Sequence, residues 1–414
     1  MDAIIIGAGI SGLSCARSLM DAGMDVLILE AGSGIGGRIK SDVVDGFILD
    51  HGFQVLQTAY PEARRQLDFK DLDLQSFLPG VGVRIHGKVF YISDPLRRPQ
   101  DLWCTLTAPV GNFMDRLRIL RLLWNNRQKG LHGIFASRDM HTMDFLKAYG
   151  FSDNMAEQFF RPFFAGACLD PEIKASSRVF RYLFDIFASG DATLPARGMA
   201  TIPAQLARDI PAEKIRLNAK VLSVENDGVV LDSNERIKAS NIVIATQGPE
   251  TEKLLKRETR QKSIGEKCLY YSAKTPPVSR PALLLNGHKS ELINNIAVPS
   301  LTAPTYSSSG DTLVAVVVLG NPELSGSRLE QAVRKELVHW FGNAVSEWRH
   351  IKTYDIRHAL PDQSPPAENP LHRKTKAMEN IYTCGEYRNV PGLQWALLSG
   401  RLTAEQVIRD CRGK

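Results

Sequence analysis

A doubly wound α/β sheet interleaved with an α+β domain is the fold the sequence predicts, on three observations. Residues 3–30 read as a strand, a glycine-rich turn, a helix and a second strand. From Asp101 to about Gly190 the chain is aromatic and helical, which interrupts the strand pattern. Strand-like segments resume after Gly198 and again at Asn380, so the pieces of one sheet lie far apart in the chain. The 414 residues, at roughly 150 per domain, suit two or three domains. A hydrophobic content of 43% supplies sizeable cores.

The opening unit takes its form from its glycines. Residues 3–6 lead into Gly7-Ala8-Gly9-Ile-Ser11-Gly12, after which 13–22 reads as a helix ending at Gly23 and 26–29 as the second strand. Gly7 suits the tight turn off the strand, Gly9 lets the backbone approach a pyrophosphate, and Gly12 lets helix and strand pack closely. The helix start offers unpaired N–H groups and a positive dipole end to phosphates. Glu30, 18 residues after Gly12, is placed to accept hydrogen bonds from a ribose diol.

Glu30-Ala31 is followed by Gly36-Gly37-Arg38. This second cluster resembles the extended FAD fingerprint of the group containing flavin amine oxidases, protoporphyrinogen oxidases and phytoene desaturases. The resemblance implies a Rossmann-type FAD-binding domain, with Arg38 along the pyrophosphate, where a guanidinium neutralises charge bidentately. Asp50-His51-Gly52-Phe53-Gln54 is similar to the segment by which these enzymes run past the flavin ring, with Gln54 where some relatives carry histidine. Residues 81–92 alternate around His86-Gly87 and read as a hairpin. The helical stretch that follows suits a domain capping the substrate, and Arg161-Pro162 through Gly166 resembles the corresponding part of protoporphyrinogen oxidases.

At Pro195 the chain turns back, with a helix over 202–207 and strands over 215–218, 220–224, 229–231 and 242–246. By the resemblance, Val221 pairs its backbone with the adenine edge, and Ala245-Thr246 end a strand beside the diphosphate. Residues 266–362 read as a mixed sheet with a helix over 327–341, and His358-Ala-Leu-Pro361 resembles the return crossing over the flavin. The last motif is Cys384-Gly385-Glu386, then Pro391-Gly392-Leu393-Gln394-Trp395 opening a helix to Arg409. Its acidic turn can hold a hydroxyl, and its positive helix end stabilises negative charge on a reduced flavin. Relatives usually carry glycine where Trp395 stands, so Trp395 either stacks near the ring or fills a core gap.

The resemblance thus implies cofactor contacts at Gly7, Ala8, Gly9, Ser11, Gly12, Glu30, Ala31, Gly36, Gly37 and Arg38. It extends them to Gly52, Phe53, Gln54, Val221, Ala245, Thr246, Gly385, Glu386, Gly392, Leu393, Gln394 and Trp395. Gln54, His358 and Trp395 are the positions nearest the ring, and none is assigned a catalytic role. The lysine that amine oxidases place opposite flavin N5 is not identifiable, because nothing orients Lys267 or Lys274. The expected division is a discontinuous FAD-binding domain of residues 1–58, 196–255 and 375–414, with a substrate domain of 59–195 and 256–374.

Composition narrows the function. Six cysteines stand far apart without Cys-x-x-Cys or zinc spacing, so no metal site is expected and a reducing cytoplasmic setting is the default. By the resemblance, no cysteine falls at a ring-linking position, which implies a noncovalent flavin. No segment reaches the roughly 18–20 apolar residues of a membrane span. Only one dinucleotide fingerprint is complete, which argues against a second NAD(P)H site. The formal charge of +6 is concentrated: residues 97–129 carry seven basic side chains against two acidic ones. Phe113, Leu117, Leu120 and Trp124 share a helical face there, which either lies on an anionic membrane or packs as an ordinary surface helix. Nucleic-acid binding is not expected, since no recognised module accompanies the charge.

The expected function is FAD-dependent dehydrogenation of a hydrophobic organic substrate by hydride transfer to flavin N5, with reoxidation by oxygen or a quinone. An amine oxidase, a redox-neutral isomerase and a non-enzymatic flavin-binding protein are the alternatives.

Overall fold

The computed structural model describes residues 1–95, 97–258, 262–288, 291–388 and 390–413. Strand β1 (Ala3–Ile6) sits inside a six-stranded sheet and pairs in parallel with β2 (Val26–Leu29) on one side and Asn241–Ile244 on the other. Ile215–Arg216 extends the sheet beyond β2, and Ile381–Thr383 beyond Asn241–Ile244. The edge strand Lys376–Met378 alone runs antiparallel. Parallel strands covered on both faces become continuous apolar runs, and β1, Asn241–Ile244 and Ile381–Thr383 are buried at every residue.

On one face lie α1 (Ile10–Asp21) and the helix Leu393–Arg412. Gly400 permits their contact, because a Cβ there would overlap the Ser11 carbonyl oxygen, and Ser14 Oγ donates to Leu397 O at 2.8 Å. On the other face lies a three-stranded antiparallel sheet, Val221–Glu225, Gly228–Leu231 and Arg236–Lys238, with Val221, Val229 and Leu231 packed on Ile4, Ile6 and Ile242. Helix α1 starts directly on Gly9, earlier than the spacing predicts, because Gly9 is extended and acts as its N-cap.

A second sheet has seven strands, in the order Arg349–Pro361, Ser263–Ala273, Thr312–Leu319, Ile293–Ala297, Leu283–Asn286, Gly80–Ile85 and Lys88–Ser93. The hairpin expected around His86-Gly87 is its outer pair. Helix Gly326–Phe341 covers one face through Leu329, Val333 and Leu337. The aromatic segment forms helices that include Phe113–Ala136, Arg161–Cys168 and Ser177–Ser189. Phe160, Phe164, Phe180 and Phe184 meet there in edge and offset contacts, with Phe164 and Phe180 centroids 4.5 Å apart.

The helix Phe113–Ala136 packs through Leu122, Ile134 and Phe135, and the apolar face singled out in the sequence stays largely open. Phe113, Leu120 and Trp124 are 65%, 58% and 63% exposed, and Trp103 on the preceding helix is 75% exposed. No helix among the described residues is long and apolar enough to cross a membrane.

Candidate cofactor and substrate site

The glycine-rich turn shows why each glycine is needed. Gly7 has φ +106°, and a Cβ there would press on Ala245 O at 3.0 Å. A Cβ on Gly12 would overlap Gly7 O, whereas one on Gly9 would meet nothing nearer than Gly37 Cα at 4.0 Å. Gly7 and Gly12 are therefore required by the fold, and Gly9 only keeps a surface open. The second cluster closes on the first: Gly36 N–H donates to Ala8 O at 2.8 Å, and Gly36 and Gly37 both have positive φ.

Carboxylates brace this cradle. Glu30 accepts from Ala8 N–H and Gly32 N–H, each at 2.8 Å, and keeps its remaining lone pairs toward the open space. Arg38 Nη1 donates to Ala359 O at 2.5 Å and lies 2.5 Å from Glu386 Oε1, a charge contact rather than an aligned hydrogen bond. Glu386 Oε2 accepts from Gly392 N–H at 2.9 Å, just ahead of the helix Leu393–Arg412. The turn 385–392 thus joins the last helix to the Arg38 loop.

These elements enclose one end of a cavity of about 1370 Å³. Gly7, Gly9, Ser11, Glu30 and Ala31 line it, as do Gly36, Gly37 and Arg38. Phe53, Gln54, Val221, Ala245 and Thr246 lie on its wall, together with Gly385, Glu386, Gly392 and Leu393. Ala8, Gly12 and Gly52 sit behind that wall as backbone supports.

Three predicted positions stand elsewhere. His358 is exposed and does not line the cavity, although its neighbours Ala359 and Leu360 do, because its strand turns the imidazole to the outside. Trp395 is only 2% exposed and packs against Tyr182 with centroids 5.3 Å apart, so it fills the core. Gln394 faces the opposite side of the helix end, where its Oε1 accepts from Glu62 N–H at 2.8 Å. Gln54 reaches the cavity, and its Nε2 donates to Arg38 O at 3.1 Å and His51 O at 2.9 Å. It ties the loop rather than standing free.

Neither Lys267 nor Lys274 lines the cavity. Lys267 Nζ pairs with Asp355 at 2.6 Å, and Lys274 pairs with Asp311 at 3.1 Å, both away from the cavity. The group that this strand does turn into the cavity is Glu266, which sequence reasoning missed. Its signal was the one carboxylate of its strand, but Lys267 follows it directly and the pair reads as an ordinary solvated or ion-paired position. Burial pushes the Glu266 carboxyl up to about 8. Nearby, Asp50 is buried and also raised by burial, while Ser41 Oγ, Met199 N–H and Tyr306 OH donate to it.

The rest of the wall is largely apolar, although Arg116 and Arg127 of the helix Phe113–Ala136 also line it. Phe159, Phe163, Phe164 and Phe187 line it, and it reaches Leu117, Leu120 and Trp124 of the exposed helix face. Among the seven basic residues of 97–129, Arg97 pairs with Asp191, Arg98 with Asp101, Arg118 with Asp115 and Arg127 with Asp185, while Arg121 and Lys129 are exposed.

The residues present fit a flavin dinucleotide. Gly9 leaves the space that a pyrophosphate needs, the N-terminus of α1 points at it, Glu30 keeps acceptors for a ribose, and the other guanidinium nitrogens of Arg38 remain for an anion. Single-ligand pockets measure about 300–1,000 Å³, so this cavity also has room for a substrate.

A family model described as flavin containing amine oxidoreductase matches residues 10–408. Protoporphyrinogen oxidase 2 of Arabidopsis thaliana is 26% identical over 188 residues, 44% of this chain and 35% of that protein. The 15-cis-phytoene desaturase of Capsicum annuum is 21% identical over 99% of this chain and 78% of its own length. An oxidoreductase of known structure from Methanosarcina mazei shares the fold with a TM-score of 0.76 at 18% identity, covering 98% of this chain and 100% of that one.

Proposed function

The chain belongs to the flavin containing amine oxidoreductase family, and from that premise we propose that it dehydrogenates a hydrophobic small molecule with noncovalently held FAD. The observation that carries this reading is a single cavity running from the glycine cradle to an aromatic chamber. When bound, FAD supplies a two-electron acceptor that takes hydride at N5 and passes electrons to oxygen or a quinone.

The protein's part is binding, orientation and exclusion of water. Gly9 and the start of α1 hold the diphosphate, Glu30 the ribose, and Val221 the adenine edge. Arg38, buttressed by Glu386, offsets phosphate charge. Gly392 and Leu393 present the positive end of the last helix to the flavin side of the cavity. No cysteine among the described residues lines the cavity, which supports noncovalent attachment. The phenylalanines on the far wall favour an apolar substrate over a charged one.

The exposed apolar face of Phe113–Ala136 lies at the cavity's apolar end, so the reading includes a peripheral contact with an anionic lipid surface from the cytoplasmic side. Phe113, Leu120, Trp124 and Trp103 would enter the interface, with Arg121 and Lys129 facing headgroups. Through that end an apolar substrate would enter from lipid.

The test is anaerobic bleaching of the flavin-loaded protein by a panel of polyenes, porphyrinogens and amines. Bleaching by an apolar polyene or porphyrinogen is the expected result. Bleaching by amines alone would make it an amine oxidase. Turnover of substrate without net bleaching would point to an isomerase, and inertness to every substrate and reductant to a flavin-binding accessory protein.

A further inference from the structure

We propose that Glu266 is the proton acceptor of this oxidation, the group that takes the proton released when hydride leaves the substrate. The inference rests on the dehydrogenase reading above.

Its position carries the argument. Glu266 is 5% exposed, lines the cavity, and has no hydrogen-bond or ion-pair partner among the described residues. A sheltered carboxyl that no protein group engages and that opens onto the cavity is free to act on whatever occupies it. The strand Ser263–Ala273 is paired on both sides, yet its register against Arg349–Pro361 shifts between Ile264 and Glu266. Such an irregularity re-aims a side chain. Here Lys267 is turned out to Asp355, and Glu266 is turned in.

Glu266 also stands at the junction of the two chemistries of the cavity. It lies against Gly52, where any Cβ would overlap Glu266 Oε1, and where φ +89° already favours glycine. Two residues on, Gln54 ties that loop to Arg38 O, so the segment against Glu266 is continuous with the glycine cradle. Phe159, Phe163, Phe164 and Phe187 line the same cavity.

The surrounding groups leave it basic. The paired strands place Leu319 and Ile356 opposite it, Cys268 follows two residues along its own strand, and Asn295 shares the cavity wall. Asp50 and His51 lie on the segment leading to Gly52. Asp50 is held by its three donors, and His51 Nε2 is 3.1 Å from Asp42. No charge offsets the burial of Glu266, which holds its carboxyl up at about 8 and makes its anion a stronger base than an ordinary carboxylate.

In the step, one substrate C–H bond breaks with both electrons leaving as hydride to FAD. The neighbouring C–H bond breaks with its proton passing to the Glu266 carboxylate and its electron pair forming the new C=C bond. Glu266 then yields the proton to water.

The experiment compares wild type with Glu266→Gln, which keeps the shape and cannot accept the proton. In the flavin-loaded protein, the rate of anaerobic flavin reduction by the substrate found above should rise with pH through about 8. Glu266→Gln should slow it by about 10²–10⁴-fold and flatten the profile, with substrate affinity unchanged. A second readout needs no turnover. The wild-type Tm should fall as pH rises from about 4.5 to about 8 relative to Glu266→Gln, because only the unfolded carboxyl ionises readily in that window. A flavin-loaded Glu266→Gln that reduces at the wild-type rate, or a Tm difference that does not vary with pH, overturns the proposal. A chain that takes up no FAD overturns the dehydrogenase reading instead, and the Tm comparison still decides whether Glu266 titrates there.

Discussion

Arg38 and Glu386, 348 positions apart in the chain, stand 2.5 Å from each other and join the second glycine cluster to the turn before the last helix. The Glu386 side chain is 9% exposed and that of Arg38 31%, so the pair is sheltered on one side and open to the cavity on the other. Removing one partner of a fully buried pair costs about 3–5 kcal/mol. For this half-open pair, Arg38→Gln should cost about 1–3 kcal/mol, since the stranded Glu386 keeps its Gly392 hydrogen bond. A double-mutant cycle with Glu386→Gln, read by thermal melts and FAD content, should show coupling in both, because one contact serves fold and cofactor together.

Gly9 and Gly12 should separate binding from folding. Gly9→Ala places its methyl in open space at an ordinary backbone angle, so the Tm should stay near wild type while FAD content falls. Gly12→Ala drives a Cβ into Gly7 O and should lower stability by about 1–3 kcal/mol. Absorbance of bound flavin and thermal melts of the two variants check the contrast. Equal Tm values would refute it.

The helix Gly326–Phe341 carries its own pH marker. Glu336 accepts from Leu292 N–H at 2.8 Å and Ile293 N–H at 3.1 Å, yet burial, with Glu291 adding to it, pushes its carboxyl up to about 7. Its contribution is fully present below its ordinary value of 4.5 and is lost as pH rises toward about 7. Glu336→Gln should remove that decline, as Tm measured from pH 4 to 8 would show. Asp410 has the opposite sign: Lys376 and Tyr382 hold it down at about 2, so its contribution is present above its ordinary value of 3.8 and lost on acidification toward about 2.

Truncating the exposed face should release the protein from vesicles. Each buried apolar side chain contributes about 1.5–3 kcal/mol, so Leu120→Ser with Trp124→Ser should lower partitioning onto phosphatidylserine vesicles by about 10²-fold or more. The Tm should barely change, because both side chains are already in solvent. Wild-type binding should weaken as salt rises. Co-sedimentation that is absent at low salt, or unaltered by the substitutions, would remove the lipid contact.

The cradle was legible because its requirements are local. A positive φ at Gly7, a close approach at Gly12 and an acidic strand end at Glu30 leave their mark on residue type at fixed spacing. Features set by distant packing were not legible. An apolar stripe on residues 113–124 reads alike whether it faces a core or solvent, and only the fold shows Trp124 outside. Trp395 fell in a motif near the cofactor, but Tyr182, from a remote helix, decides that it fills the core. His358 and Glu266 belong to paired strands, where a register irregularity chooses which side chain faces inward. No spacing rule in the sequence marks that choice.

The composition of the parallel sheet has a consequence for synthesis. β1 and β2 leave the ribosome ahead of the rest of their sheet: their neighbour Asn241–Ile244 follows more than two hundred residues later, and Ile381–Thr383 later still. Contacts of such long range delay folding, because loop closure must be achieved before they stabilise anything. The nascent chain therefore exposes the apolar runs of β1 and β2 through most of translation, a state prone to aggregation. The phosphate cradle closes only when the last helix, with Gly400 against Ser11, has emerged. Cofactor capture is in this way a late event, and it reports on synthesis through the helix Leu393–Arg412.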